Sequence, residues 1–534
     1  MMKYRIIAAL TFLGLLILLP ALLREKPAVP EAPSGESDTL IVITPHAESI
    51  KHEFERAFQR YYLEKYNKAI TIDWRSPGGT ADIVRYINDR YEASFRHYCE
   101  KNDLPWDAKI AAAFRNHRIK PDMSGKSGPE ARARAIFLAS NVSIDIDVFF
   151  GGGTYDQSSQ ARKGYAVDAG IKAMHPDWFK PEVMPERWSG EDIYDPNGGY
   201  YGVCLATFGI CYNPDRMKEL GTPPERWTDL TDRKYFNKLA VADPTKSGSI
   251  NKCFEVILQQ CMAEAVKAGK STAEGWDDGF NLIRRLVGNA RSITESAGKV
   301  PREVASGNAA AGMAIDFYAL SEAQFAAVQT NNTAKRIVYV PPKGGSSVSA
   351  DPVQLLRGAP NLKQAKAFIE FLLSEDGQKI WQYRTDTPGG PEKYTLRRPP
   401  VRRDLYTAKH KPFMADADYN PYNATNDFEY NGAWTGRYFN LIRVMIRTTM
   451  LDASSELQTA WKAICEAGGA AAVPQAVAEF DKAVVPYSQA AQAAAGLSVN
   501  SNNPMQEVIK LRRSWTMQAI AQYNKAAELA KQGK

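Results

Sequence analysis

The sequence is poor in the residues that carry out chemistry. Its 534 residues include only six histidines and six cysteines. No HExxH, GxSxG, Walker or GxGxxG pattern occurs, which sets aside zinc proteases, hydrolase nucleophile elbows, P-loop nucleotide hydrolysis and dinucleotide binding. No CxxC is present, so metal and thiol-redox readings are weak. Charge of one sign is scarce as well. The net charge of +7 is modest for this length, and no basic stripe marks a nucleic-acid surface. The densest basic cluster, Arg397, Arg398, Arg402 and Arg403 around Pro399 and Pro400, reads as a solvated loop. Paired carboxylates occur at Asp277/Asp278 and at Asp145/Asp147; the second pair reads as strand-edge hydrogen bonding, not acid/base catalysis. Internal repeats are absent. An enzyme would need a nucleophile or an acid/base pair, and none can be placed.

What is present is a globular composition, 44% hydrophobic and 24% charged, at a length that suits two or three domains. One apolar run stands out, residues 6–23. Lys3 and Arg5 precede it and Arg24, Glu25 and Lys26 close it, in the order of an export signal. As a helix it spans ~27 Å against a hydrocarbon core of ~30 Å, and no small-x-small cleavage site follows. Residues 1–26 are therefore expected to be a signal peptide or, by preference, an uncleaved anchor with everything after it translocated. Residues 27–38, made of Pro, Ala, Glu, Gly and Ser, read as a linker. In an oxidising compartment the cysteines are expected to be buried thiols or structural disulfides, with the pairing open.

The folded part opens with TLIVIT at residues 39–44, an apolar run of the kind buried in parallel sheets. A helix follows, with Ile50, Phe54, Ala57, Phe58 and Tyr61 on one face. ITIDW at 70–74 is the next strand, then a short helix with Ile83 and Ile87. After a polar helical insert at 91–141 comes a third strand, IDIDVFF at 144–150. This βαβαβ order predicts a parallel α/β sheet. The strands end in small polar turns: Thr44-Pro45-His46, then Ser76-Pro77-Gly78-Gly79-Thr80, then Gly151-Gly152-Gly153-Thr154. Ligands of open α/β sheets bind beyond such strand ends, where small residues expose backbone N–H groups.

A second alternating block begins near Tyr201. Its strand at 239–242 runs into Ser247, Gly248 and Ser249 ahead of an apolar helix. These residues read either as an ordinary helix N-cap or as an anion-friendly helix start facing the first rim. A further strand ends in Asp316 and Tyr318. The candidate ligand-binding residues are thus His46, Ser76, Gly79, Thr80, Gly152, Gly153, Thr154, Ser247, Gly248, Ser249, Asp316 and Tyr318. A carboxylate favours a cationic or hydroxylated group and main-chain N–H groups favour an anion, so a zwitterion, a polyol phosphate or a metal complex all fit. His52, His97, His117, His175 and His410 read as surface residues. From about residue 440 onward the chain is alanine-rich and helical.

These pieces together resemble bacterial extracellular solute-binding proteins of family 1, in the group of ferric-iron-type ABC transporter receptors. The likeness is carried by Ile43-Thr44-Pro45-His46, by residues 147–153, by Asp243 through Ser249, by residues 304–308 leading into Asp316-Phe317-Tyr318, and by AKAFIEFLLSEDGQKIW at 365–381. Pro388, Gly389 and residues 397–402 complete it. The resemblance implies an α/β, two-lobed periplasmic-binding-protein (type 2) architecture that closes on its ligand about a hinge. An N-terminal signal or anchor and a C-terminal helical extension are added to it. Lobe 1 would comprise residues 39–200 and 341–400 and lobe 2 residues 201–340. Residues 401–534 would be a mostly helical part packing on lobe 2.

In the iron-binding branch a His, a Glu and two adjacent Tyr typically hold the metal. His46 matches the first, Gly152 stands where the Glu would be, and Phe317-Tyr318 replaces the Tyr pair. No metal site is expected, with His46 and Tyr318 the ligands if iron is bound. The expected function is the non-enzymatic, cofactor-free substrate-binding component of an ABC importer. It would sit in the periplasm, tethered to the inner membrane, and hand an organic anion, phosphonate or sugar phosphate to permease subunits. The alternatives are a ligand-binding sensor for a membrane signalling partner and an anchored hydrolase or transferase, which would need catalysis from a cleft residue such as Asp316.

Overall fold

A computed structural model describes residues 37–331, 335–425, 427–499 and 503–534. The apolar run at 6–23 lies outside the described residues. Among these, no helix is long and apolar enough to cross a membrane.

The first three predicted strands are β1 (Asp38–Ile43), β2 (Ile70–Arg75) and β3 (Val148–Phe150), parallel in the order β2-β1-β3. Side chains alternate across this sheet. Leu40, Val42, Val148 and Phe150 enter one core, under the helices Glu48–Tyr66 and Leu362–Leu373; Ile43 and Phe149 enter another, under the helix Thr80–Lys101. Both faces are covered, as parallel sheets require. The helix at 80 is not short. It runs for 22 residues and carries Tyr91, Phe95 and Cys99 into the second core, where Phe114 and Phe137 meet them. The 91–141 stretch is therefore built into lobe 1. Its polar residues cover the outside and its aromatics the inside.

Beyond β4 (Ala166–Val167) and the hairpin of β5 (Arg187–Trp188) and β6 (Glu191–Asp192), the long strand β7 (Tyr201–Tyr212) connects the lobes. Its first half pairs with β12 (Val348–Leu356), which also borders β3 in lobe 1. Its second half pairs with β10 (Ala311–Ile315) in lobe 2. There the sheet continues through β8 (Leu239–Ala242) to β9 (Ala290–Thr294), with β11 (Val338–Val340) on the other edge of β7. β7 thus passes between lobes, and the chain returns to lobe 1 between β11 and β12. The changeover is sharp, since Thr207 faces Val348 of β12 and Phe208 faces Ile315 of β10.

The chain after residue 400 divides its packing. Val401 and Tyr422 belong to the core of lobe 1, so this part does not pack on lobe 2 alone. Phe428 and most of the buried apolar residues beyond it join the core of lobe 2. Trp461 and Phe480 stack there at 5.7 Å, and the helix Met505–Lys531 buries Ala519, Tyr523, Ala526 and Ala530 in the same core. All six cysteines are free thiols, four of them buried.

A charged contact joins the lobes away from β7. Lys252, on the helix Gly248–Lys267, lies 2.5 Å from Glu191 of the lobe 1 hairpin and 2.9 Å from Glu255. Its ammonium sits 3.6 Å from the centre of the Tyr430 ring, whose hydroxyl donates to Glu255 at 2.7 Å.

Candidate functional site

The site is assembled where β1, β3 and β12 end against the lobe junction. Past β1, the His46 backbone N–H donates to Thr44 Oγ1 at 3.1 Å. The imidazole then lies edge-on to Phe150, with centroids 4.5 Å apart, and to Trp381 at 6.0 Å. Gly151 follows β3 with φ +94°, a conformation that glycine adopts at no steric cost, and a Cβ there would fall 2.5 Å from the His46 ring. Gly152, at φ +92°, is closed off in the same way by the Thr80 methyl. Both glycines let the strand end come up against side chains from neighbouring turns. Gly151→Ala is expected to cost about 1–3 kcal/mol of stability, read by urea denaturation, and to push the imidazole out of place. A loss below ~0.5 kcal/mol would show that the turn tolerates a side chain.

The opposite wall comes from residues far along the sequence. Asp351 sits within β12, beside Pro352, where the pairing with β7 slips by one residue. A proline cannot donate to the ladder, so an irregularity at that point is the expected response. The Asp351 carboxylate accepts from Arg398 Nη1 at 2.5 Å and lies 3.3 Å from His46 Nε2. Two prolines anchor the backbone next to Arg398: the Leu205 N–H donates to the Pro399 carbonyl at 2.7 Å, and Pro400 bridges to Cys204. The Arg398 guanidinium carbon lies 4.3 Å from the ring centre of Phe317, in lobe 2, and 5.4 Å from that of Trp381, in lobe 1. The cation is thus flanked by one aromatic ring from each lobe, a favourable contact for a desolvated charge. Only 5% of its side chain remains exposed. This corrects the reading of the 397–403 cluster as solvated: Arg398 and Arg402 are both buried.

Burial lowers the His46 pKa, with Asp351 pulling the other way. Burial alone would raise the Asp351 carboxyl, but Arg398 and His46 hold it below the ordinary carboxylate range. Among the described residues no group of three or more His, Cys, Asp or Glu is arranged to hold a metal ion.

Asp316 does not face the cleft as a free carboxylate. It is fully buried at the start of the helix Asp316–Gln329 and accepts from the Thr207 backbone N–H at 3.0 Å, from Thr207 Oγ1 at 3.1 Å and from the Phe317 N–H at 2.7 Å. Burial raises its pKa to about 6. Tyr419 donates to it as well, at 3.3 Å. These bonds converge on Thr207, the residue at which β7 changes partners. Tyr318, two residues on, keeps 38% of its surface exposed and lies tilted against Phe317, with ring centroids 4.2 Å apart.

The remaining candidates fall into two groups. Thr80 and Gly152 touch each other, and Thr154 Oγ1 donates to the Ala350 carbonyl at 2.9 Å, next to Asp351. Gly153 is the N-cap of the helix Thr154–Lys163. Ser76 and Gly79 are exposed, and the Gly79 N–H donates to Asp82. Ser247 caps its own helix by accepting from the Ile250 N–H at 3.3 Å, the ordinary N-cap role, with Gly248 open beside it and Ser249 half-buried. Among the described residues no hydrogen bond or ring contact ties Ser76, Gly79, Ser247, Gly248 or Ser249 to His46, Asp351 or Arg398. His410 also differs from expectation, being buried with its Nδ1 2.5 Å from the Tyr383 hydroxyl. A cavity of about 490 Å³ lies elsewhere, lined among others by Thr228, Cys261 and Arg285.

Sequence reasoning missed Asp351, Trp381 and Arg398 as site residues. A signal for the first was present: Asp351 is the single charge in the strand VSADPVQLL, and a lone carboxylate in a buried strand needs a partner.

The family model for bacterial extracellular solute-binding protein matches residues 152–405. An uncharacterised protein of Haemophilus influenzae is 25% identical over 332 residues, 61% of this chain and 85% of its own length. A putative 2-aminoethylphosphonate-binding periplasmic protein of Salmonella typhimurium is 28% identical over 190 residues, 35% of this chain and 50% of that one. The chain therefore matches only half of this Salmonella relative. Among solved structures, the periplasmic binding protein AfuA of Actinobacillus pleuropneumoniae aligns with 73% of this chain and 95% of its own, at 18% identity and a TM-score of 0.43. The family match takes in Asp351, Trp381 and Arg398, so the stretch that holds these residues is similar to bacterial extracellular solute-binding proteins.

Proposed function

We propose that this protein is the substrate-binding component of an ABC-type importer, which captures a small organic solute bearing an anionic head group and delivers it to membrane permease subunits. One observation carries this reading: a guanidinium is buried between an aromatic ring of each lobe, so the lobes must come together to enclose it. A binding protein that closes about a hinge would use such a group to couple ligand contact to closure. Arg398 also weighs against direct ferric binding. A trivalent cation held by His46 and Tyr318 would share the cluster with a fixed positive charge, and like charges desolvated together repel strongly. The aminophosphonate named in the Salmonella relative carries the head-group type that Arg398 suits. Placement in the periplasm, with residues 1–26 as a tether to the inner membrane, belongs to the same proposal.

The test is a thermal-shift screen of the full chain against phosphonates, sugar phosphates, ferric salts, polyols and amino acids. A ligand at a hundred times its Kd stabilises the native state by about 2.7 kcal/mol. A clear rise in Tm with a phosphorus-containing or other organic anion is expected. A rise with Fe(III) alone, or with none of the panel, would overturn the proposal.

A further inference from the structure

Each of the three charged or titratable groups at the centre of the site uses one side on its neighbours and leaves the other bare. Asp351 gives Oδ2 to Arg398 and His46, and its Oδ1 has no partner. Arg398 donates through Nη1, and its Nε is unpaired. His46 approaches Asp351 through Nε2, and its Nδ1 is unpaired. Trp381, whose ring lies against both His46 and Arg398, has an unpaired Nε1 as well. All four atoms are buried. Each costs about 1–3 kcal/mol if left without a partner, so a polar ligand or ordered water is needed to complete them.

The chemistry of that molecule is set by which atoms are free. Asp351 Oδ2 lies 3.3 Å from His46 Nε2 and Arg398 Nη1 3.4 Å from it; the nearer carboxylate favours a proton on Nε2, which leaves a lone pair on Nδ1. The free groups are then two acceptors, Asp351 Oδ1 and His46 Nδ1, and two donors, Arg398 Nε and Trp381 Nε1. The charges of Asp351 and Arg398 cancel, so the site has no net charge to offer a simple ion. A plain anion would satisfy Arg398 and Trp381 and leave both acceptors bare. A plain amine would do the reverse.

Resting on the proposed receptor function, we propose that the ligand is a compact zwitterion, with Arg398 and Trp381 receiving its anionic end and Asp351 and His46 receiving its ammonium. An amino acid with a terminal amine, an aminoalkylphosphonate or an aminosulfonate has this form. The specificity for the amine is assigned to Asp351 and His46, and the specificity for the acid to Arg398.

The test is calorimetric titration of the full chain with three matched probes: 3-aminopropylphosphonate, propylphosphonate and propylamine. The zwitterion should bind at least tenfold more tightly than propylphosphonate, and propylamine should show no measurable heat. In Asp351→Asn the preference for the amine should fall to within about twofold, while a circular-dichroism melt establishes that the variant is folded. Equal binding of propylphosphonate and its amino derivative by the unmodified protein would overturn the zwitterion and leave the receptor reading intact. Failure of all three probes would also overturn the compact zwitterion. The broader thermal-shift panel then decides the receptor reading separately.

Discussion

Arg398→Met is expected to abolish solute binding and to lower the stability of the protein by about 3–5 kcal/mol, the range for removing one member of a buried ion pair. Methionine replaces the volume of the arginine stem and can still lie between Phe317 and Trp381. What it cannot do is neutralise Asp351, which keeps only 13% of its side chain exposed and has no other cation within bonding distance among the described residues. Most of the loss is therefore the cost of an uncompensated carboxylate. The double variant Arg398→Met/Asp351→Asn should recover much of the stability and none of the binding. Urea denaturation gives the first quantity and titration with a ligand from the thermal-shift screen gives the second. A single variant that loses less than ~1 kcal/mol would mean that the pair is solvated when the lobes open, and that the native state in solution is mostly open.

Lys252→Met should be comparably damaging, for the opposite charge. Glu191 and Glu255 both approach the Lys252 ammonium, and both are buried. Without it, two carboxylates from different lobes face each other in a desolvated space. A loss of about 3–5 kcal/mol is expected near neutral pH, and it should shrink as the pH falls and the carboxylates take up protons. The unmodified protein should already show a trace of this. Burial pushes the Glu191 carboxyl up to about 7, against the pull of Lys252. Its folded-state pKa thus lies above the unfolded value near 4.3, so the native state holds the proton more tightly. The stability this contributes is fully present below the unfolded pKa and is lost as pH rises through about 7. The span is on the order of 3 kcal/mol. Unfolding free energies measured from pH 4.5 to 8 should decline more steeply for the unmodified protein than for Glu191→Gln. Identical slopes would refute the assignment.

The parts of the molecule legible in the sequence are those fixed by local patterns. Residues 39–44 and 70–74 are continuous or alternating apolar runs, and Leu40, Val42, Ile70 and Ile72 are buried. The glycines at 151 and 152 mark a turn that φ values near +90° require. His46 could be placed because it comes directly after such a strand. Arg398 could not. The sequence around it, RRPPVRR, has the composition of a solvated loop, and what desolvates it is supplied by Phe317 and Trp381 from elsewhere in the chain. Asp316 was visible as a carboxylate at a strand end, but its obligation to Thr207 depends on where β7 changes partners, which no local pattern encodes. The length of the helix Thr80–Lys101 was hidden for a related reason. Its second half is polar on the outside, and its inward aromatics, Phe95 among them, have partners such as Phe114 and Phe137 beyond the end of the helix.

The division of the last 130 or so residues between the two cores bears on the order in which the chain can fold. The core of lobe 1 is complete once Tyr422 has docked. Lobe 2 begins with the second half of β7, yet its core draws on residues as late as Ala530. During synthesis the earlier lobe can close while the later one still lacks a wall, and its apolar surface stays open until the final helix arrives. Contacts of such long sequence separation form slowly, and an exposed half-built core is prone to aggregate in the interval. Lobe 2 is therefore the part that would depend on a chaperone, and a chain stopped short of residue 505 should yield a folded first lobe attached to an incomplete second one.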